Sequence, residues 1–197
     1  MRTLLLSWLL LVSTFAATCA STLAAAQPSD KPAEKSAPTK ISVRQEGNIL
    51  TVEGTLFTSA SRAGVWKILT DFSRFPEFIP GLYSNRLLEQ RNNLKLIEQR
   101  GMISTRQIQM PFQGVIQVEE QFRDGVPEGM QIVYLNGPLK DVRGEWNIQP
   151  GKLLGLTYRM RMDITKTPFP PLMATPIAEQ QVQNWVDAFS REMQKAH

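Results

Sequence analysis

The sequence predicts an α+β domain: a curved antiparallel β-sheet wrapped around one long C-terminal helix, with two short helices after the first strands. Three observations lead there. Between residues 82 and 164, runs of strand-forming residues are separated by short turn signals, which is how an antiparallel meander reads. Beyond residue 175, Val182, Trp185, Val186, Phe189 and Met193 form an apolar stripe at helical spacing. Residues 65–81, V-W-K-I-L-T-D-F-S-R-F-P-E-F-I-P-G, are an apolar segment punctuated by Pro76 and Pro80 that must pack on something broad and apolar.

The chain opens with Arg2 and an apolar run over residues 4–17, then Ala24, Ala25 and Ala26 before Gln27. This pattern predicts a secretory signal peptide, residues 1–26, cleaved after Ala26 and delivering a periplasmic or secreted protein. The competing readings are an uncleaved anchor and a lipoprotein attached through Cys19. Ser13, Thr14 and Thr18 interrupt the run, whereas a membrane span takes about 20 apolar residues. Thr18 also stands where a lipoprotein would place Ala or Gly. Cleavage removes the one cysteine, so the mature chain offers neither disulfide nor thiolate. It leaves 21 of the 22 Lys and Arg residues against 18 acidic ones, a net charge of +3. Those charges are dispersed and not interleaved with aromatics, which argues against nucleic acid as a partner. Residues 27–40 hold three prolines, many charges and no aromatic, and read as a disordered linker. Residues 41–197 remain as one domain, long enough for a substantial core.

Within it, residues 41–45 and 49–57 are β-rich runs joined by Glu46, Gly47 and Asn48, a hairpin signal. Ser59 or Ser61 can cap the helix that follows, whose Val65, Ile68, Leu69 and Phe72 fall on one face. Trp66 lies beside that stripe, and Phe75, Phe78 and Ile79 belong to the proline-bounded second piece. The meander comprises 82–90, 94–100, 113–123, 130–136, 141–149 and 154–164. In 141–149, Val142, Gly144, Trp146 and Ile148 share a face opposite Arg143, Glu145 and Asn147. In 154–164, Leu156, Tyr158, Met160, Met162 and Ile164 oppose Thr157, Arg159, Arg161 and Asp163. One polar face means a sheet wet on one side and covered on the other. The cover is the C-terminal helix, with Thr175 as N-cap and Pro176 as first residue.

V-W-K-I-L-T-D-F with F-P-E-F-I-P-G, then G-E-W-N-I-Q-P (144–150) and G-L-T-Y (155–158), occur together and in this order. In these motifs the chain resembles the START-like lipid-transfer and polyketide-cyclase superfamily (SRPBCC), in particular its branch of coenzyme Q-binding and cyclase/dehydrase proteins. The resemblance runs from about residue 49 to 193. It implies a helix-grip fold, a curved sheet gripping the C-terminal helix around a deep apolar cavity. It implies function less narrowly, because this fold hosts carriers, cyclases and hydrolases.

The residue inventory limits the chemistry. The one histidine is His197 and no cysteine survives cleavage, so a Ser-His-Asp triad, a Cys-His pair or a His/Cys metal site has no material. No Walker A or G-x-G-x-x-G loop is present. Neither metal nor cofactor is expected. One polar constellation stands out. Glu120 shares an apolar face with Ile116, Val118 and Phe122, while Glu98 and Arg100 share one with Leu94 and Leu96. Either these three form a polar spot in a cavity wall that orients a quinone, headgroup or carboxylate, or they pair on the rim. A Glu120 buried without Arg100 would be a candidate acid or base.

The expected cavity is lined by Trp66, Phe75 and Phe78 from the short helices and by Val182, Trp185 and Phe189 from the long one. The sheet contributes Leu96, Arg100, Val118, Glu120, Trp146, Leu156, Tyr158, Met160 and Met162. The tryptophans and methionines can equally be plain core. Two loops, 110–112 and 169–173, set Met110, Phe112, Phe169 and Leu172 beside prolines as an entrance that folds inward as a lid or touches a membrane transiently. The expectation is an exported binding or transfer protein for a hydrophobic small molecule such as a lipid or quinone. The alternative is a cyclase- or dehydratase-like enzyme using the carboxylate and arginine.

Overall fold

The computed structural model describes residues 39–105 and 108–195, so the expected signal peptide and nearly all of the expected linker lie outside the described residues. β1 (Lys40–Glu46) and β2 (Ile49–Thr58) form a hairpin closed by Gly47 and Asn48, with Gly47 at a φ of 59° that suits a tight turn. Of the two possible caps, Ser61 is the one used. Its hydroxyl accepts from the Gly64 N–H at 3.1 Å and starts α1 (Arg62–Thr70), which buries Val65, Ile68 and Leu69. A 3₁₀ turn (Phe72–Arg74) leads into α2 (Phe75–Phe78), where Pro76 occupies a first-turn position whose N–H would have no helical partner.

Six strands follow: β3 (Leu82–Arg91), β4 (Leu94–Ser104), β5 (Gln109–Arg123), β6 (Val126–Tyr134), β7 (Arg143–Gln149) and β8 (Leu154–Asp163). All eight strands make one antiparallel sheet in the order β1-β2-β8-β7-β6-β5-β4-β3. α1 and α2 therefore carry the chain from β2 across to the far edge at β3. The last element, α3 (Pro171–Gln194), lies over the covered face. Its approach to β2 depends on Gly54, where a Cβ would stand 2.7 Å from Val186 and 3.0 Å from Val182. This is the START-like helix-grip arrangement.

The alternation along β7 and β8 holds. Val142, Trp146, Ile148, Leu156, Tyr158, Met160, Met162 and Ile164 are buried, and Arg143, Arg159 and Arg161 are exposed. Thr157 departs from the pattern: it lies on the outer face yet is buried, its hydroxyl 3.2 Å from that of Thr55 in the neighbouring strand.

Two expectations need correcting. Residues 110–112 are not a loop but the start of β5, with Pro111 opposite Met102. Proline is tolerated there because Met102 directs its N–H away to Gly81, so its partner's missing donor would face the β6 side. β5 pairs with β6 only from Ile116 onward, and no ladder bond is lost. The long helix starts at Pro171, not at Thr175, and Pro176 sits inside it. Pro176 cannot bond the carbonyl of Leu172, but Leu172 is 92% exposed, so water can satisfy that carbonyl.

Candidate functional site

The space between sheet and α3 is filled from one end by aromatic rings. Phe75 meets Phe189 edge-on with centroids 5.3 Å apart, Phe78 meets Phe189 at 5.3 Å, and Trp146 meets it at 4.9 Å. Rings in such tilted contact add to the stabilisation that burial provides. Phe75, Phe78, Val118, Trp146, Leu156, Val182 and Phe189 all belong to this packed core. Trp66, half-buried, rests edge-on against Phe122 at 5.4 Å.

Open space begins at the other end. A narrow apolar pocket of about 50 Å³ lies between Ile103 and Phe112 of β4 and β5, Tyr158, Met160 and Met162 of β8, and Phe169, Ile177, Ala178, Gln181 and Trp185 of the helical side. Tyr134, Leu139 and Val142 complete its wall. A small satellite cluster roofs it: Ile103, Phe169 and Ile177 are buried together, with Ile108, Met110, Phe112, Leu139 and Met173 packed against them. One water needs roughly 10–15 Å³ of such space and drug-sized ligands about 300–1,000 Å³. In this conformation the pocket takes a few waters, and a larger guest requires the roof to move.

No wall residue carries a charge. The polar side chains are Tyr134, Tyr158 and Gln181. The Tyr134 hydroxyl donates to Oε1 of Gln99 at 3.0 Å, and Gln99 is itself buried on the inward face of β4. Burial pushes both phenols well above their ordinary pKa, so both stay protonated. Tyr158 is stacked on Trp185 of α3, with centroids 5.8 Å apart and planes 11° apart, and its ring centroid lies 4.9 Å from that of Trp146 on the neighbouring strand β7.

Of the expected cavity residues, Tyr158, Met160, Met162 and Trp185 are brought together at this pocket, joined there by Phe112 and Phe169 of the expected entrance. Met110 packs in its roof, and Leu172 points out to solvent from the first turn of α3. The polar constellation is not assembled. On β4 the inward residues are Lys95, Ile97, Gln99, Gly101 and Ile103, so Leu96, Glu98 and Arg100 lie on the outer face. There Glu98 accepts from Arg86, Arg100 and Gln113. Partial burial opposes ionisation of Glu98, but Arg100 with Gln113 and Arg86 outweighs it and holds the carboxyl below its ordinary pKa. Glu120 does point inward, where Lys95 pairs with its carboxylate. That pair sits beside the Asn93 turn, at the end of β4 and β5 away from the pocket, with the Lys95 ammonium 5.8 Å from the Phe72 ring centre.

Tyr158 was expected at the pocket, but Tyr134, Leu139 and Gln181 of its wall, and Gln99 behind Tyr134, were missed from sequence. Gln99 and Tyr134 gave a usable signal: a glutamine two residues from Ile97 and a tyrosine two from Ile132 occupy inward positions of their strands. Leu139 and Gln181 gave none.

The fold has solved relatives at low identity. The STAR-related lipid transfer protein of Xanthomonas axonopodis superposes with a TM-score of 0.62 at 16% identity, covering 80% of this chain and 97% of its own. Human StAR-related lipid transfer protein 5 gives 0.61 at 10%, over 80% of this chain and 86% of its own. The Zhui aromatase/cyclase from Streptomyces sp. R1128 gives 0.59 at 16%, over 75% and 94%. Among curated proteins none matches the chain. The family model for polyketide cyclase/dehydrase and lipid transport matches residues 58–190, more than half of the sequence, and the chain belongs to that family.

Proposed function

We propose that this protein is an exported carrier that binds a hydrophobic small molecule, of lipid or quinone type, in the pocket beneath the satellite cluster. The observation that carries the reading is the pocket wall: apolar and aromatic side chains with three uncharged polar ones, beside a roof that is separate from the main core. Burial of apolar ligand surface would drive binding. Entry needs Phe169 and the first turns of α3 to part from Ile103, Met110 and Phe112. Leu172, 92% exposed at that end of α3, supports a brief membrane contact during loading. The arrangement of Arg2, the apolar run and Ala26 supports export with cleavage after Ala26.

Catalysis by the carboxylate and arginine is less well supported, because Glu120 is paired with Lys95 and Arg100 lies on the outer face of the sheet. A cyclase would have to work with Tyr134, Tyr158 and Gln181. The test is organic extraction of the purified protein with mass spectrometry, followed by calorimetry of the delipidated protein. A co-purifying neutral lipid or quinone that rebinds at micromolar concentration is the expected result. Delipidated protein that binds no quinone, fatty acid or phospholipid would overturn the reading. Fractionation that leaves the mature protein in the cytosol would overturn the export part alone.

A further inference from the structure

Tyr158 is only 6% exposed, yet among the described residues nothing hydrogen-bonds its hydroxyl. A hydroxyl inside the protein that no protein group pairs must find its partner in the space it faces, whether water or a guest. The hydroxyl is not sealed in: the one fully enclosed unpaired side-chain atom among the described residues is Asn85 Oδ1. What Tyr158 faces is the pocket it lines.

Its position is also fixed from three sides. Trp185 stacks on the ring, and Trp146 flanks it. Beneath lies Gly144, where a Cβ would come within 2.8 Å of the hydroxyl oxygen and 3.1 Å of Cε2. The glycine of the G-x-W strand motif thus leaves the space in which the phenol stands. The neighbouring Tyr134 is already spoken for as a donor, because its proton goes to Gln99.

Given the binding role proposed above, we infer that the Tyr158 hydroxyl is the anchor for the polar end of the guest, and that this end is a neutral carbonyl-type oxygen on an otherwise apolar molecule. A carbonyl oxygen accepts the one uncommitted phenolic proton in the wall. A carboxylate or phosphate headgroup does not fit, since no wall residue carries a compensating positive charge and burying an unpaired anion is prohibitive. Rings suit the wall better than a kinked chain, because Phe112, Tyr134, Tyr158, Phe169 and Trp185 offer flat surfaces.

The test uses the purified protein and three probes of nearly equal size: 2-acetylnaphthalene, 2-ethylnaphthalene and 2-naphthoate. Calorimetry should show the ketone binding about tenfold more tightly than the hydrocarbon, as one net hydrogen bond predicts. The naphthoate should bind at least about tenfold more weakly than the ketone. Tyr158→Phe should erase the ketone's advantage and leave hydrocarbon affinity unchanged. Gly144→Ala, which keeps the hydroxyl but displaces it, should weaken the ketone selectively. If the hydrocarbon binds but wild type shows no preference, or if Tyr158→Phe keeps it, the anchor is refuted and the carrier reading stands. Tighter binding of the naphthoate would refute a neutral guest. If no probe binds, the anchor is refuted, and the carrier reading stands or falls on the quinone, fatty acid and phospholipid calorimetry alone.

Discussion

Arg74, in the turn before α2, places its guanidinium 2.7 Å from the buried carboxylate of Glu192 near the end of α3. This contact ties the segment between β2 and β3 to the C-terminal helix, and Lys195 holds the other carboxylate oxygen at 2.9 Å. Lys195, against the opposing effect of burial and with help from Arg74, keeps the Glu192 pKa below its ordinary value. A depressed pKa contributes stability that is present above the unfolded value, about 4.3, and is lost as pH falls through the lower folded value. Glu192→Gln should therefore be less stable than wild type at pH 7 and lose less on acidification. Urea midpoints at pH 7 and pH 3 measure this; an unchanged acid dependence would show that Glu192 plays no part in it.

Gly54→Ala should destabilise the protein by roughly 1–3 kcal/mol, because the new methyl meets Val186, Val182 and Ile41 at 3.0 Å or less. Val186→Ala in the same chain should recover part of that loss, a non-additivity expected of groups in contact. Urea unfolding of the two single variants and the double gives the coupling. Additive losses would mean that α3 does not rest on β2 in this way.

Lys95 and Glu120 form a pair with about a tenth of each side chain exposed. Lys95→Met strands a buried carboxylate and should cost about 3–5 kcal/mol, whereas replacing both by Met should cost far less. Denaturation of the single and double variants distinguishes this from a pair that stabilises outright. The ketone probe should bind the double variant as it does wild type, since neither residue reaches the pocket.

Amide exchange should divide α3 in two. Its first turns put Ile177 into the satellite cluster with Ile103 and Phe169 and only the small Ala174 and Ala178 into the main core, while the larger Val182, Val186, Phe189 and Met193 lock into that core. The amides up to Ala178 should exchange faster than those from Val182 to Met193, and Phe169→Ala should accelerate only the former. Uniform protection along the helix would leave the pocket without its proposed door.

The sheet was legible because period-two alternation in β7 and β8 is a direct record of which side is wet, and burial follows it except at Gly155 and Thr157 of the outer face. The site was less legible because alternation gives the faces of a strand but not which face is covered. Leu94 and Leu96 suggested an inward face for Glu98 and Arg100. The true inward row carries Lys95 and Gln99, polar residues accommodated by Glu120 and Tyr134 on the neighbouring β5 and β6. Prolines misled in two places. Pro111 and Pro176 both signal breaks, yet each sits where its missing N–H costs little, on the side of β5 that β6 does not reach and opposite a carbonyl open to solvent. The unpaired Tyr158 hydroxyl could not be foreseen at all, since it depends on how close β7 and α3 come.

The strand order places β2 beside β8, with Ile49 opposite Asp163. A chain emerging amino end first consequently cannot zip up: its opening hairpin keeps a bare edge and a greasy underside until the last strand and helix arrive. Assembly of this architecture is thus a late, all-or-nothing event governed by distant partners, slow by nature and vulnerable to clumping in the interval.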